Sequence, residues 1–159
     1  MPAKRRKTWA EKLADDKDLP KVVKLTGPAA RRWGGRTFAI ATPREIDALM
    51  RTVPRGRVTT INELRAAVAR HHGAEVGCPI TAGIFSWIAA HAAEEARAAG
   101  ARKITPYWRT LKKDGELNPK YPGGVAAVRR KLAAEGHRFT VKGTRVVVRD
   151  LEKSLFAPA

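Results

Sequence analysis

TPYWRTLKKDGELNPKYPGG, residues 105–124, is the most distinctive stretch of the sequence. It places Tyr107 and Trp108 side by side in a chain whose residues are only 6% aromatic. The stretch closes on Tyr121 and Pro-Gly-Gly, which is typical of a tight turn. Two adjacent aromatic side chains beside such a turn either offer flat faces on which a ligand ring such as a nucleic-acid base can stack, or fill a core. Both interpretations are open from the residues alone.

Upstream of this stretch, the pattern predicts two helices joined by a turn. A capping box that starts at Thr60 begins a helix running to about His71, after an earlier capped helix that begins at Thr42. The next helix begins near Pro79, and its apolar stripe is Ile80, Ile84, Trp87, Ile88 and His91. We expect this stripe to face the core and a small-residue face to point outward: Thr81, Ala82, Gly83 and Ser86. The pattern is typical of a helix-turn-helix that enters a DNA groove, although many such pairs only build a core.

The two ends of the chain are predicted to flank a central domain. Residues 1–41 are expected to form a basic N-terminal arm with one short helix near residues 9–14, and its KRRK at residues 4–7 is either a phosphate-binding segment or a solvated tail. Residues 42–139 form the domain, in which a helix after Gly124 stops at Gly136. Residues 140–159 hold a basic β-hairpin, suited to a wing, and a tail. The predicted fold is therefore mainly α with a small C-terminal β-hairpin.

Composition points to a polyanion as the partner. Lys and Arg total 32 against 15 Asp and Glu, a formal charge of +17, and 43% hydrophobic residues indicate a folded body. Double-stranded DNA is the first candidate, although charge alone does not separate DNA from RNA. The single cysteine, Cys78, excludes an internal disulfide and a cysteine-rich metal site, and the histidines are not clustered, so we expect no metal or cofactor. No apolar run approaches a membrane span, and a cytoplasmic, nucleoid-associated protein is expected.

Four segments together resemble one known domain. VPRGRVTTINEL (53–64), GCPITAGIFSWIAA (77–90), TPYWRTLKKDGELNPKYPGG (105–124) and KLAAEGHRF (131–139) occur in the order and roughly the spacing of the DNA-binding domain of O6-alkylguanine-DNA alkyltransferases. The resemblance implies a winged helix-turn-helix-like fold. Proteins of that family flip an alkylated guanine out of the duplex and move its alkyl group onto the cysteine of a Pro-Cys-His-Arg motif.

The chain departs from the family at the residues that perform this transfer. Tyr107 occupies the cysteine position and Trp108 the histidine position, which leaves Glu135 without a histidine to orient. Irreversible alkyl acceptance needs a thiolate, and a phenol with a pKa near 10 and no base beside it is a poor substitute. Cys78 lies outside the motif. We therefore predict that the protein is not an enzyme.

The remaining resemblance is to alkyltransferase-like proteins, which lack the cysteine, bind alkylated DNA without repairing it and recruit nucleotide excision repair. It implies a protein that recognises alkylated or distorted double-stranded DNA and signals to repair proteins. The alternative is a general architectural or nucleoid-type DNA binder without lesion preference. Two further departures concern base flipping, because the family's gap-filling arginine aligns with Gly83 and its tyrosine of the preceding helix aligns with Ile61.

The predicted site residues form two groups. The resemblance implies a lesion pocket of Pro106, Tyr107, Trp108, Arg109, Tyr121 and Glu135. The alternative is that the rings of Tyr107 and Trp108 act as a plug, filling a pocket that no longer binds a ligand and packing the core. The predicted DNA contacts are Thr59, Thr60, Thr81, Ala82, Gly83, Ser86, Arg55, Arg57, Lys112 and Lys113. For the threonines the alternative is helix capping alone.

Overall fold

The computed structural model describes residues 3–159 and contains both helices and short strands. The helices are α1 (Trp9–Leu13), α2 (Gly27–Trp33), α3 (Pro43–Arg51), α4 (Ile61–His71), α5 (Pro79–Ala98), α6 (Gly124–Ala134) and α7 (Leu151–Ser154), with a 3₁₀ turn at Tyr107–Arg109. The strands are β1 (Lys21–Lys24), β2 (Thr37–Ile40), β3 (Thr59–Thr60), β4 (Val76–Gly77), β5 (Thr110–Leu111), β6 (Phe139–Lys142) and β7 (Arg145–Val148). The fold is thus mainly helical with a small C-terminal hairpin, as predicted.

The helix starts lie where the capping residues predicted them. The Thr42 hydroxyl accepts a hydrogen bond from the Glu45 amide at 3.1 Å and begins α3, and Thr60 accepts one from the Glu63 amide at 3.4 Å and begins α4. These contacts satisfy backbone donors that have no partner within the helix. The predicted stop of α6 is also confirmed, because Gly136 follows it with a φ of +94°.

The main core lies between α3, α4, α5 and the segment that follows α5. Small side chains of α5, such as Ala89, Ala90 and Ala93, are buried against this core, which lets the helix approach α3 closely. From the other side Leu111, Leu117 and the α6 residues Val128 and Leu132 complete the cluster. The 3₁₀ turn with Tyr107 is therefore held in the centre of the molecule.

The strands form three small sheets, two of which connect distant parts of the chain. β2 pairs with β1 in antiparallel and with β4 in parallel orientation, β3 pairs in parallel with β5, and β6 pairs with β7 as the predicted antiparallel hairpin. The β3–β5 pair sets Thr59 opposite Thr110 and so fixes the chain directly after the Tyr107 turn. The β2–β4 pair leads directly into α5 through Cys78.

Two elements of the predicted N-terminal arm pack against the domain. The predicted short helix is confirmed as α1, but Trp9 packs on Trp87 of α5 with ring centroids 4.8 Å apart, and β2 pairs with β4. Parts of residues 9–41 therefore belong to the packed fold, because α1 lies on α5 and β2 carries the buried Phe38 and Ala39, whereas β1 is exposed. The C-terminal tail also returns to the domain, where the Phe156 amide donates to the Val58 carbonyl at 2.7 Å. Among residues 3–159, no helix combines the length and the apolar character needed to cross a bilayer.

Candidate nucleic-acid interface

Tyr107 fills the interior at the position of the predicted lesion pocket. Its side chain is only 1% exposed, and its hydroxyl donates a hydrogen bond to Glu94 Oε1 at 2.7 Å. Its ring makes edge contacts with Trp108 and Tyr121, at centroid distances of 5.2 and 5.7 Å. Burial, followed by the hydrogen bond to Glu94, raises the pKa of the Tyr107 phenol well above its ordinary value. The phenol is therefore protonated and inaccessible, which leaves it unable to act as a nucleophile.

Tyr121 is buried behind Tyr107 and does not face solvent either. It is 2% exposed, and its hydroxyl makes no well-formed hydrogen bond, although Ser86 and Asn118 lie beside it. Burial raises the pKa of Tyr121 to about 12. The contact to a bound base that the resemblance implied for this residue is thus not available in this conformation.

Glu135 does have partners, contrary to the expectation from the missing histidine. Its carboxylate accepts two hydrogen bonds from Arg109, at 2.8 and 2.9 Å, and one from the Trp108 indole N–H at 3.0 Å. Arg109 also donates to the Val53 carbonyl at 2.9 Å. Burial acts to raise the pKa of Glu135, but the hydrogen bonds from Arg109 and Trp108 outweigh it and hold this pKa below its ordinary value. The three side chains form a structural network that ties the 3₁₀ turn to the end of α6.

The six predicted pocket residues thus come together around a filled interior and not around an open cavity. The face of Trp108 is covered by cations, with Lys131 Nζ 4.8 Å from the ring centroid and the Arg109 guanidinium at 5.6 Å. Pro106, Trp108 and Arg109 line a shallow surface cavity of about 400 Å³ that does not include either tyrosine. Of the two interpretations of the aromatic pair, the geometry favours the plug.

Helix α5 is rotated relative to the sequence prediction. Ile80 and Ile84, expected in the core, are 56% and 46% exposed, whereas Ala82 and Ser86, expected to contact DNA, are buried. Ser86 uses its hydroxyl inside the helix, where it donates to the Gly83 carbonyl at 2.9 Å. The reason is that close packing of α5 against α3 requires small side chains. The helix therefore buries its alanine face and leaves Ile80 and Ile84 exposed. The DNA-contact role predicted for Ala82 and Ser86 is therefore wrong.

The exposed face of α5 borders a wide apolar groove of about 840 Å³. Its lining residues are Ile80, Gly83, Ile84, Trp87, Lys112, Asn118, Pro119 and Lys120. Apart from the backbone of α5 itself and the residues next to Gly83, no atom lies within 4 Å of the place where a β-carbon of Gly83 would stand, so α5 is open to close approach here. Gly83 and Lys112 were predicted from sequence, whereas Thr81 is half-buried and does not line the groove. The isoleucines, Trp87 and Lys120 were missed, and the alanines at residues 82, 89, 90 and 93 were the signal that could have revealed which face is buried.

The other predicted DNA contacts fall into two kinds. Thr59 and Thr60 are buried, so neither hydroxyl is exposed for a phosphate contact. Thr60 caps α4, as the capping alternative has it, whereas the Thr59 hydroxyl caps no helix and has no hydrogen-bond partner among residues 3–159. Arg55 and Arg57 are exposed but donate to backbone carbonyls, Arg55 to Ala134 and Arg57 to Ser154 and Leu155. Lys113 is exposed.

Cys78 has a structural role at the start of α5. It is buried, and its Sγ accepts a hydrogen bond from the Thr81 amide at 3.4 Å, so it acts as the N-cap. Within residues 3–159, no group of three His, Cys, Asp or Glu side chains is placed to hold a metal ion.

Comparison with solved structures identifies the fold. No protein-family model and no curated protein sequence matches the chain. The solved structures to which the chain is similar include S. pombe Atl1 in complex with damaged DNA containing O6-carboxymethylguanine, at 16% identity and a TM-score of 0.50. They also include S. pombe ATL in complex with DNA, at 17% identity and a TM-score of 0.52. Each match covers 73% of this chain and 94% of the other. The chain therefore has the alkyltransferase-like fold that its sequence motifs predicted.

Proposed function

We propose that this protein binds duplex DNA through the groove beside the N-terminal half of α5, performs no chemistry on it, and favours alkylated or otherwise distorted sites. The observation that carries the proposal is the pair of exposed isoleucines, Ile80 and Ile84, which line the same groove as Lys112 and Lys120 on an alkyltransferase-like fold. The S. pombe relatives of this fold were solved with DNA, one of them with damaged DNA, which supports the same partner here.

The groove combines the two features that a DNA-bending surface needs. Exposed apolar side chains such as Ile84 insert between base steps and partly unstack them, while lysines neutralise the flanking phosphates. Gly83 keeps the helix backbone free of a side chain between the two isoleucines, so the duplex can approach closely. The volume of about 840 Å³ lies within the range of roughly 300–1,000 Å³ that is usual for ligand sites and leaves room for a displaced base.

A preference for lesions follows from the cost of unstacking. Displacing a base costs a few kcal/mol and least at damaged or mismatched pairs, so a wedge binds such sites more tightly. Because Tyr107 and Tyr121 are closed off, the preference is for weakened pairing and does not require recognition of the alkyl group itself. We therefore expect a mismatch and an O6-alkylguanine to be favoured to a similar degree.

The absence of an acceptor supports a binding function without group transfer. The phenol of Tyr107 is buried and hydrogen-bonded to Glu94, and the thiol of Cys78 is buried at a helix start. Neither has the exposed, activated character of an alkyl acceptor. The proposal has two further parts. Recruitment of nucleotide excision repair to the bound site rests on the resemblance, and a nucleoid location rests on the charge.

The closed interior also favours a second candidate, a general architectural DNA binder. A charge of +17 supplies strong, sequence-independent affinity, and a filled pocket gives no means of reading a lesion directly. The two candidates differ in whether unstacked pairs are preferred.

A single substitution in the groove tests the site. We expect Ile84→Asp to weaken binding to a 20-base-pair duplex at least tenfold, because it replaces the wedge with a charge that phosphates repel. The matched control is Val141→Asp, which changes a valine that is 61% exposed on the β6–β7 hairpin. Equal affinities of both variants, measured by fluorescence anisotropy at fixed salt, would contradict the assignment of the interface.

A further inference from the structure

We infer that residues 4–7, Lys-Arg-Arg-Lys, form a second anion-binding contact that grips the phosphate backbone of the same duplex, held at the edge of the groove by the docking of Trp9. This inference rests on the proposed function, since it assigns a further part of the surface to the same nucleic acid. It gives the N-terminal region a role that the packed fold alone does not explain.

The start of α1 is fixed on α5 by two independent sets of contacts. The Trp9 ring stacks on His91 with centroids 4.5 Å apart and meets the edge of Trp87 at 4.8 Å. The Glu95 carboxylate accepts hydrogen bonds from the backbone amides of Trp9 and Ala10, each at 3.1 Å. A carboxylate at a helix N-terminus accepts hydrogen bonds from the free amides and interacts favourably with the helix dipole. The chain therefore leaves α5 toward its N-terminus from a defined point.

This point lies beside the proposed DNA groove. Trp87, which Trp9 contacts, is one of the groove's lining residues. His91, on which Trp9 stacks, has its ring Nε2 3.2 Å from the carbonyl oxygen of Lys120, another lining residue. The docking of α1 is thus continuous with the wall of the groove.

The segment is long enough to reach phosphates on either strand. Lys4 lies five positions before Trp9. An extended chain advances at most about 3.3–3.6 Å per residue, so the first lysine can lie up to about 17 Å from the anchor. That reach exceeds the width of roughly 12 Å of the major groove and the roughly 6 Å of the minor groove. The four cations can therefore follow a strand that borders the groove.

The charges of the segment are available for such contacts. All four side chains are exposed. Arg5 pairs with Glu11 and Lys7 with Asp15, but both pairs lie at the surface, where phosphates can replace the carboxylates. Lys4 and Arg6 pair with no carboxylate within residues 3–159. A tail that served only solubility would have the same charges, but its contribution to DNA binding would not depend on Trp9.

The test measures how affinity for one duplex falls with salt. Each phosphate contact contributes about 0.9 to the slope of log K against log salt concentration. Replacing residues 4–7 by alanine should lower the magnitude of that slope by about 2 to 3.5. The matched control removes four exposed cations outside the groove, which are Arg129, Arg130, Lys142 and Lys153. We expect the control to lower the slope by less than half as much.

Trp9→Ala tests whether residues 4–7 contribute to DNA binding only when the docking of Trp9 holds them beside the groove. We expect it to lower the slope as much as the tail replacement does, and the two changes combined to add nothing further. Trp9→Phe, which keeps a ring for His91 and Trp87, should retain most of the slope. Circular dichroism spectra show whether each variant is folded, and the tail replacement decides the question if Trp9→Ala is not.

Two failures are distinguishable. If the wild-type protein binds the duplex and the tail replacement behaves like the remote control, the inference is overturned while the groove assignment stands. If the wild-type protein shows no binding to duplex DNA at 50 mM salt, the proposed function itself is overturned.

Discussion

Replacing Tyr107 by phenylalanine tests whether this residue is a structural plug. The change removes the hydroxyl that donates to Glu94 at 2.7 Å and leaves the ring contacts with Trp108 and Tyr121 in place. A hydrogen bond to a charged group contributes roughly 1.5–3 kcal/mol. Glu94 keeps its contact to Arg97 at 2.6 Å and part of its exposure, so we expect a loss of about 1–2 kcal/mol in the free energy of unfolding.

Tyr121→Phe is the matched control in the same interior. Its hydroxyl is buried without a well-formed hydrogen bond, so removing it should change stability by less than about 0.5 kcal/mol or raise it. Urea denaturation followed by tryptophan fluorescence gives both free energies. For a domain of this size the loss in Tyr107→Phe corresponds to a decrease in Tm of about 2–8 °C.

The DNA affinity of these variants gives the second half of the test. Because Tyr107 is not exposed, we expect Tyr107→Phe to bind matched and alkylated duplexes as the wild type does, at a temperature where both are folded. A variant of unchanged stability that lost its preference for the alkylated duplex would refute the plug and assign Tyr107 to lesion recognition.

Three further predictions concern the network at Glu135 and the glycines that flank and line α5. Glu135→Ala should lower the free energy of unfolding by about 3 kcal/mol, because it leaves the nearly buried Arg109 without its carboxylate. Glu135→Gln should lower it less. Equal urea midpoints for Glu135→Ala and the wild type would contradict the network. The pKa of Glu135 is lowered in the folded state. The stability that its charged form contributes is therefore complete above the unfolded pKa of about 4.3 and is lost as the pH falls through the lower folded pKa. The difference in free energy of unfolding between the wild type and Glu135→Gln should thus shrink between pH 6 and pH 3. In thermal unfolding, Gly83→Ala should raise stability by about 0.5–1 kcal/mol, since the new β-carbon meets open space in a helix. Gly77→Ala should destabilise the protein, because its β-carbon would overlap the Arg65 carbonyl.

The helix starts could be predicted from sequence because their causes are local. Thr42 and Thr60 each bond an amide three residues away, so four consecutive residues contain the whole interaction. The hairpin of residues 139–148 was predicted for the same reason, since alternating valines and a glycine turn are adjacent in the chain. The family motifs, read together, predicted the alkyltransferase-like fold.

The orientation of α5 could not be taken from its apolar period. Both faces of the helix carry periodic residues, and which one is buried depends on how closely α3 approaches. The short β2–β4 and β3–β5 pairs were also missed, because strands of two to four residues exist only through partners far along the chain. For the same reason the sequence indicated that Tyr107 and Trp108 lie at the centre of the site but not that Glu94 and Glu135 bind them.

The most direct measurement compares binding of the protein to three duplexes that differ at one position: a matched pair, a mismatch and an O6-alkylguanine, at equal salt, with the intact mass of the protein recorded afterwards. Tighter binding to the mismatch and to the alkylated duplex than to the matched one, with an unchanged mass, is the result that a groove with an unstacking wedge predicts. Equal affinity for all three duplexes would contradict lesion recognition and leave a general DNA binder, and a mass increase equal to the alkyl group would contradict the absence of an acceptor.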